Sequence, residues 1–209
     1  MALLHRAELR PSKLDLLATW LPGRDWFAGT AGADVTRVGT YRFDDPAGEV
    51  GIETMLVRVG DGPVLQVPLT YRGAPLAGAD RWLVGTTEHS VLGPRWVYDA
   101  CGDPVYPPAL AAALAGAGQA EEYFEVDGRR EVRPPTMTVT VGRADGVEPP
   151  VVGAIREVVD GDRILIRTDP VELVVLRRPT PTDALSGAGL TGSWPGQETP
   201  LMLAYAVPR

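Results

Sequence analysis

The sequence is poor in several residue types on which enzyme chemistry depends. Among its 209 residues there is no asparagine, one lysine (Lys13), one cysteine (Cys101) and two histidines (His5 and His89). A lone cysteine forms no internal disulfide bond, and we expect Cys101 to be buried and unreactive. The histidines and the cysteine are scattered, so we expect no metal site. Any mechanism that needs a second lysine or an asparagine is excluded.

Positive charge is scarcer than negative charge. The chain has 20 Lys and Arg against 27 Asp and Glu, a formal net charge of -7 and an isoelectric point near 4.9. An acidic surface repels nucleic-acid phosphates and anionic lipid, so we expect no nucleic acid and no membrane as partner. Charged residues interrupt the first apolar run, which predicts neither a signal peptide nor a spanning helix. We therefore expect a cytoplasmic protein, and the arginine-rich composition is typical of a GC-rich bacterial genome.

The chain does contain a pattern of short strands with two helices. Residues 11–21 predict a helix, because Pro11 suits a first turn, Ser12 can cap it and leucines recur at helical spacing. A second helix is predicted over 103–115, with Asp103 as its cap. Alternating apolar and polar residues predict strands at 35–43, 50–59, 64–71, 82–87, 94–98, 121–126, 136–142, 151–159, 163–168, 171–177 and 201–207.

Turns and loops separate these strands. Asp-Gly pairs predict tight connections at 61–62, 127–128, 145–146 and 160–161. Pro68 predicts that its strand lies at a sheet edge, or is bulged, at that position. The stretch 179–198 is rich in Pro, Thr, Gly and Ser and predicts a long loop. Strands and helices do not alternate regularly, so the chain predicts an antiparallel α+β fold.

Three segments, in the same order along the chain, resemble the N-terminal cap of actinobacterial maltokinases. Residues 21–29 read Leu-Pro-Gly-Arg-Asp-Trp-Phe-Ala-Gly and are similar to the Leu-Pro-x-x-Arg-Trp-Phe-x-Gly-Lys signature of that cap. Residues 67–72 and 98–104 are similar to two further segments of the family. Small stand-alone actinobacterial proteins carry the same set and are often labelled 1,4-alpha-glucan branching proteins. The resemblance covers about residues 5–115 and is weaker over 120–209.

The resemblance implies a fold and a metabolic setting. It implies a maltokinase-cap-like subdomain over residues 1–116, in which a helix crosses a curved antiparallel sheet in a cystatin-like cap. Residues 117–209 are then an antiparallel β subdomain similar to the intermediate part of a kinase N-lobe. The implied setting is trehalose, maltose and α-glucan metabolism, with a sugar kinase or an α-glucan enzyme as the partner.

The chain departs from the kinases at positions that carry catalysis. Residues 172–178 resemble the kinase strand that holds the ATP lysine, and Val174 stands at the place of that lysine. Kinase-type phosphoryl transfer needs this lysine, a catalytic acid and metal ligands that commonly include asparagine. Neither histidine is followed two residues later by an aspartate, as in the kinase catalytic loop, and we expect no C-lobe. We therefore expect no enzyme activity and no cofactor.

Other catalytic motifs are weak. The glycines of residues 187–192 match a dinucleotide-binding spacing, but we expect a loop there, without the required strand before and helix after. Asp44 and Asp45 belong to a predicted turn, and Glu121 and Glu122 to a solvated strand start, so neither pair predicts a glycosidase. A branching enzyme needs a large barrel, for which 209 residues are too few.

Aromatic and arginine residues cluster in the first half of the chain. Together they can form a sugar-stacking surface or the hot spot of a protein interface. The alternative is that Trp20 and Phe27 are core residues and that the arginines pair with acidic side chains. The candidate ligand or partner residues are Arg24, Trp26, Tyr71, Arg72, Tyr98 and Asp99. Trp26 and Arg72 are the two that we expect to be exposed.

The sequence leaves three functions open. The first is a non-catalytic interaction or regulatory module that binds a partner enzyme. The second is a binding protein for a small ligand, a sugar or a sugar phosphate, held on the concave face of a curved sheet. The third is an enzyme with an unrecognised active site, which would require two acids that converge on a buried cleft.

Overall fold

The computed structural model describes residues 2–4, 7–126, 129–144, 146–182 and 187–209. Helix α1 spans Lys13–Trp20 and helix α2 spans Tyr106–Ala112. The strands in these ranges are β1 (Ala2–Leu4), β2 (Leu9–Arg10), β3 (Val35–Phe43), β4 (Gly51–Val59), β5 (Val64–Arg72), β6 (Leu83–His89), β7 (Gly93–Asp99), β8 (Glu122–Val126), β9 (Arg129–Val132), β10 (Thr138–Arg143), β11 (Ile155–Val159), β12 (Arg163–Thr168), β13 (Val171–Pro181), β14 (Ala188–Trp194) and β15 (Gln197–Pro208). His5, the predicted turn at 127–128 and Asp145 of the next predicted turn lie outside the described residues.

The first sheet, called here the cap sheet, has six antiparallel strands in the order β2-β6-β7-β5-β4-β3. The predicted turn between β4 and β5 is present, and it is closed by a 3.0 Å hydrogen bond from the Gly62 N–H to the Val59 carbonyl. Pairing of β5 with β7 begins at Leu69, directly after Pro68. The prediction that Pro68 lies at a local edge is therefore confirmed, since proline has no N–H to donate to a neighbouring strand.

Helix α1 covers one face of the cap sheet. Its start is fixed by a capping box, in which the Asp15 N–H donates to Ser12 Oγ (3.2 Å) and the Ser12 N–H donates to Asp15 Oδ2 (2.9 Å). Leu17 packs into a buried cluster with Met55 and Val57 of β4. Side chains alternate along a strand, so the odd-numbered positions of β4 face the helix.

A second six-stranded antiparallel sheet, in the order β10-β14-β15-β13-β12-β11, packs against the other face of the cap sheet. Ile52 and Leu56, at even positions of β4, share a buried cluster with Ile164 and Leu173 of the second sheet. Gln66 joins the two sheets through hydrogen bonds from its amide nitrogen to the carbonyls of residues 176 and 203, at 2.8 and 2.9 Å. Burial of this apolar surface holds the two sheets together.

A third, three-stranded sheet has the order β1-β8-β9. Strand β1 runs parallel to β8, while β9 is antiparallel to β8. This sheet brings the start of the chain beside residues 122–126, more than a hundred positions later. Strands β1, β2 and β9 are not predicted from sequence, because segments of two to four residues are too short to show alternation.

The prediction of a long loop over 179–198 is wrong. Strand β13 continues to Pro181, and most of the remaining described stretch forms β14 and the start of β15. A Cβ atom at Gly192 would lie 2.8 Å from side-chain atoms of Leu203 and Met137. The glycines here therefore permit close packing between layers instead of marking a loop. The dinucleotide-like glycines at 188–192 thus lie within a strand.

The second predicted helix begins later than expected. Helix α2 starts at Tyr106, because the Asp103 carboxylate accepts the Val105 N–H in a preceding turn. A π-type turn over Ala113–Ala117 follows the helix and contains Gly116 at φ 121°, a conformation that favours glycine.

The predicted fold class is confirmed in its coarse form, as mostly antiparallel sheets with two short helices. The cystatin-like and kinase-lobe likenesses remain predictions, as does the division at residue 116. One buried cluster is continuous from Tyr41 and Phe43 of the cap sheet to Val175 and Leu190 of the second sheet. Residues 172–178, which resemble the kinase lysine strand, lie in β13, and Val174 is buried there.

Candidate functional site

The six residues predicted for the binding surface differ in exposure. Trp26, Tyr98 and Asp99 are 4%, 3% and 0% exposed, so these three are not part of an exposed surface. Trp26 is buried because its ring packs against Trp20 at 5.8 Å, which also places Trp20 in the core as the alternative predicted. The side chains of intermediate exposure are Arg24, Tyr71 and Arg72.

Arg72 is partly exposed but already engaged. Its Nε and one terminal nitrogen donate to the two oxygens of Asp103, each at 2.6 Å. Thr70 donates a further hydrogen bond of 2.7 Å to the same buried carboxylate. This bidentate pair fixes the end of β5 against the turn before α2, so the guanidinium of Arg72 has a structural role.

Asp99 is one half of a buried ion pair between the two sheets. Its carboxylate contacts Arg177 of β13, and both side chains are fully buried. The Arg177 guanidinium also lies 4.2 Å from the centroid of the Trp26 ring. Burial raises the pKa of Asp99, and the nearby Arg177 charge opposes that effect. The predicted surface residues Trp26 and Asp99 thus belong to one inter-sheet contact.

Cys101 lies beside this pair. It is 1% exposed, and burial raises the pKa of its thiol well above the ordinary value. The prediction that Cys101 is buried is therefore confirmed, and its thiolate form is strongly disfavoured.

A cleft of about 640 Å³ opens beside the start of α1. We call it the paired cleft, because ion pairs form its floor: Lys13, Arg42, Glu53 and Tyr71 are among its lining residues. Lys13 begins α1, while Arg42 and Glu53 are direct partners in the register of β3 and β4. The helix-facing side of the cap sheet therefore brings the sole lysine of the chain to Glu53.

The floor is a continuous network of charges. The Glu53 carboxylate accepts a hydrogen bond from the Lys13 ammonium and one of 2.9 Å from the Tyr71 hydroxyl. Arg42 lies 3.2 Å from Glu53 and donates through Nε to Glu122 at 2.8 Å. Arg133, which also lines the cleft, contacts the second oxygen of Glu122 at 3.3 Å. Three cations thus meet two carboxylates, which leaves one net positive charge.

The electrostatics hold these groups in their paired forms. Burial alone would raise the pKa of Glu53, but the charges of Lys13 and Arg42 prevail and lower it to about 2. Burial and the adjacent Glu53 charge raise the pKa of Tyr71 well above its ordinary value, so its hydroxyl stays protonated and donates. Burial lowers the pKa of Lys13, while Glu53 opposes this effect.

The walls of the paired cleft combine aromatic, acidic and basic side chains. They include Phe43, Asp44, Asp45, Glu49, His89, Arg95, Tyr123 and Phe124. Asp45 accepts the N–H groups of residues 47, 49 and 50, at 2.9–3.0 Å, which places it in the predicted turn. His89 Nδ1 accepts the N–H groups of Val91 and Leu92, at 3.2 and 3.0 Å, and these two residues are exposed in the β6–β7 turn.

Sequence reasoning did not find this network. Glu122 was predicted to be solvated, but its side chain is only 12% exposed, because it lies between Arg42 and Arg133. One signal was available in β4: Glu53 shares the apolar side of the strand with Met55, Val57 and Val59. An isolated carboxylate in such a position indicates a buried pair.

The part of the chain that the structure describes contains neither a cluster of metal-ligand side chains nor a helix that could span a membrane. No group of three or more His, Cys, Asp or Glu residues is placed there to hold a metal ion. Likewise, no helix within the described ranges has the length and apolar character needed to span a bilayer.

Comparison with known proteins finds a similarity within the first half of the chain. No curated protein matches the sequence. Residues 20–103 match the family model described as the maltokinase N-terminal cap domain. This stretch includes strands β3–β7 of the cap sheet and most of the lining of the paired cleft. Residues 20–103 are therefore similar to the maltokinase N-terminal cap domain.

Proposed function

We propose that this chain is a non-catalytic binding module, and that it binds a partner enzyme along the rim of the paired cleft. The cap domain links the chain to maltokinase-type metabolism of α-glucans. The partner that this setting favours is a sugar kinase or an α-glucan enzyme. Trehalose metabolism in actinobacteria and a cytoplasmic location belong to the same proposal.

One observation supports the non-catalytic role most directly. Glu53, the most deeply buried carboxylate of the cleft floor, has a pKa of about 2 and is held by Lys13, Arg42 and Tyr71. A general acid or base works best with a pKa near the operating pH. A carboxylate fixed in its ionised form by three donors does not exchange protons at neutral pH, so the network serves to shape the cleft.

The rim supports docking of a protein. Val91 and Leu92 are 57% and 44% exposed at the tip of the β6–β7 hairpin, and Leu92 lines the cleft. Arg95, from the same hairpin, also lines it. Exposed aliphatic side chains beside an arginine are typical of protein interfaces.

Binding to a partner is tested by calorimetric titration of the chain with a purified maltokinase and with the catalytic region of that kinase lacking its own cap. We expect a complex, and we expect Leu92→Asp to weaken it by about tenfold or more. Val151→Asp is the matched control, because Val151 is 70% exposed and does not line the cleft. Absence of a complex with either protein, or equal effects of the two variants, would overturn the partner proposal.

The non-catalytic role is tested separately with ATP and maltose. We expect the purified chain to release no ADP above the buffer rate. Lys13→Met serves as the control for contaminating kinases, because it removes the sole lysine of the chain. Release of ADP by the original chain that disappears in Lys13→Met would show that the chain itself transfers phosphate.

The mixed lining of the paired cleft favours a second candidate function, the binding of a sugar. Its volume lies within the usual range for small-ligand sites, and aromatic faces beside charged hydrogen-bonding groups suit a hydroxyl-rich ring. Thermal-shift measurements with maltose, trehalose, maltose phosphate and ATP test this function. A saturable rise in Tm with one sugar supports it, because a ligand of the native state must raise stability. No shift with any of them leaves the partner proposal as the better one.

A further inference from the structure

A second cleft, of about 560 Å³, lies between the cap sheet and the second sheet. We call it the arginine cleft, because Arg37, Arg58 and Arg178 line it. Its other lining residues include Pro63, Pro179, Trp194 and Pro195. The lining contains no aspartate and no glutamate among the described residues.

Two of the three arginines have no partner within the described chain. The side chains of Arg37 and Arg58 are exposed and form neither an ion pair nor a hydrogen bond with described residues. Arg178 contacts Asp162 at 2.6 Å, but the two side chains are 41% and 61% exposed. An exposed pair of this kind is weak and can be exchanged for another anion.

The charge of this cleft contrasts with that of the whole chain. The formal net charge is -7, yet only cationic side chains are charged among the residues that line the cleft. A concave surface lined by one sign of charge concentrates ions of the opposite sign. Arginine is also the side chain best suited to phosphate, because its planar fork donates two parallel hydrogen bonds.

The remaining lining adds an apolar wall. Pro63, Pro179 and Pro195 line the cleft beside the cationic groups, together with Trp194, which is 7% exposed. Such a surface can pack against the carbon skeleton of a ring, and the volume is in the range of small-ligand pockets. A ligand that uses both parts of the cleft carries a phosphate group and a ring.

We propose that the arginine cleft is a binding site for a phosphorylated sugar, in which Arg37, Arg58 and Arg178 hold the phosphate and the apolar wall contacts the sugar ring. The two clefts share Arg37, but the other lining residues of the arginine cleft, Arg58 and Arg178 among them, do not line the paired cleft. The proposed site therefore does not depend on the partner proposed above.

Calorimetric titration with glucose 1-phosphate, glucose and inorganic phosphate tests the proposal in a low-salt buffer free of phosphate. We expect glucose 1-phosphate to bind, inorganic phosphate to bind more weakly and glucose not to bind. We expect added salt to weaken binding, because exposed charges are screened. Absence of binding by glucose 1-phosphate would overturn the site. Equal affinities for glucose 1-phosphate and inorganic phosphate would overturn the role of the apolar wall.

Substitutions locate the site. Arg58→Gln is expected to weaken binding of glucose 1-phosphate by about tenfold or more, because it removes a charge-assisted hydrogen bond. Arg37→Gln is expected to weaken it similarly, but Arg37 also lines the paired cleft, so Arg58→Gln is the variant that locates the site. Arg163→Gln is the matched control, because Arg163 is an exposed strand residue outside the cleft and makes the same change in net charge. Equal losses in Arg58→Gln and Arg163→Gln would show nonspecific attraction and overturn the assignment. Circular dichroism of each variant establishes that it is folded.

Discussion

Strand β4 presents Glu53 on the face toward α1 and Arg58 on the face toward the second sheet, and each residue borders a different cleft. In the paired cleft, Lys13 and Arg42 are held by Glu53, which is 5% exposed. In the arginine cleft, Arg37 and Arg58 are exposed and have no described partner. The same sheet therefore borders one cleft with buried, paired charges and another with exposed arginines that have no described partner.

The difference follows from solvent access. A charge removed from water must be paired, because its desolvation costs several kcal/mol. A charge that stays in water needs no partner and remains available for a ligand. Substitution of the buried groups should therefore change stability, while substitution of the exposed arginines should change binding.

The largest effect is expected at the inter-sheet pair of Asp99 and Arg177. Asp99→Ala leaves the fully buried Arg177 with Asp160 at 3.4 Å as its remaining carboxylate contact. We expect a loss of about 3–5 kcal/mol in the free energy of unfolding, measured by urea denaturation. Asp162→Ala is the control, because it breaks the exposed ion pair of Asp162 with Arg178, the residue after Arg177. This change should cost no more than about 1 kcal/mol. Similar losses for both variants would contradict the distinction between buried and exposed pairs.

The next effect is expected at Glu53 and depends on pH. The pKa of Glu53 is lowered from 4.5 to about 2 in the folded chain, so its ionised form stabilises the fold above the unfolded pKa. This contribution, about 3 kcal/mol by linkage, is present at pH 7 and is lost as the pH falls from about 4.5 through 2. The free energy of unfolding of Glu53→Gln should therefore be lower than that of the original chain by about 3 kcal/mol at pH 7. This difference should become smaller as the pH falls from about 4.5 through 2.

Denaturant titrations at a series of pH values measure this difference in the free energy of unfolding. Glu157→Gln is the control, because the Glu157 side chain is 55% exposed in its pair with Arg167. The free energy of unfolding of Glu157→Gln should stay close to that of the original chain across the same pH range. A difference for Glu53→Gln that is constant with pH would mean that the lost stability comes from packing and not from charge.

Local patterns predicted much of the cap sheet. The alternation in β3 to β7 and the turn after Val59 gave strands close to those observed, and Ser12 was identified as the cap of α1. These features depend on residues that are neighbours in sequence. The same reasoning failed over 188–194, because glycines that allow close packing have the composition of a loop.

The charged contacts could not be predicted in the same way. Arg42 and Glu122 are 80 positions apart, and Asp99 and Arg177 are 78 positions apart. Their pairing depends on how the sheets stack, which strand periodicity does not specify. Strand alternation places Arg58 on the same face of β4 as Ile52 and Leu56, but the second sheet that forms the other wall of the arginine cleft lies far along the chain.

The smallest effect on stability is expected at Arg58. This prediction distinguishes the exposed charges of the arginine cleft from the buried charges of the paired cleft most directly. Arg58→Gln removes an exposed charge without a described partner, so the free energy of unfolding should change by no more than about 0.5 kcal/mol. Arg42→Gln is the matched comparison on the neighbouring strand, because the Arg42 side chain is 14% exposed and contacts both Glu53 and Glu122. That change leaves carboxylates without their partner and should cost about 3 kcal/mol. Urea denaturation of both variants at pH 7 gives the two values side by side. A loss of more than about 1 kcal/mol for Arg58→Gln would mean that Arg58 is already engaged in the fold, and it would then be unavailable to a phosphate.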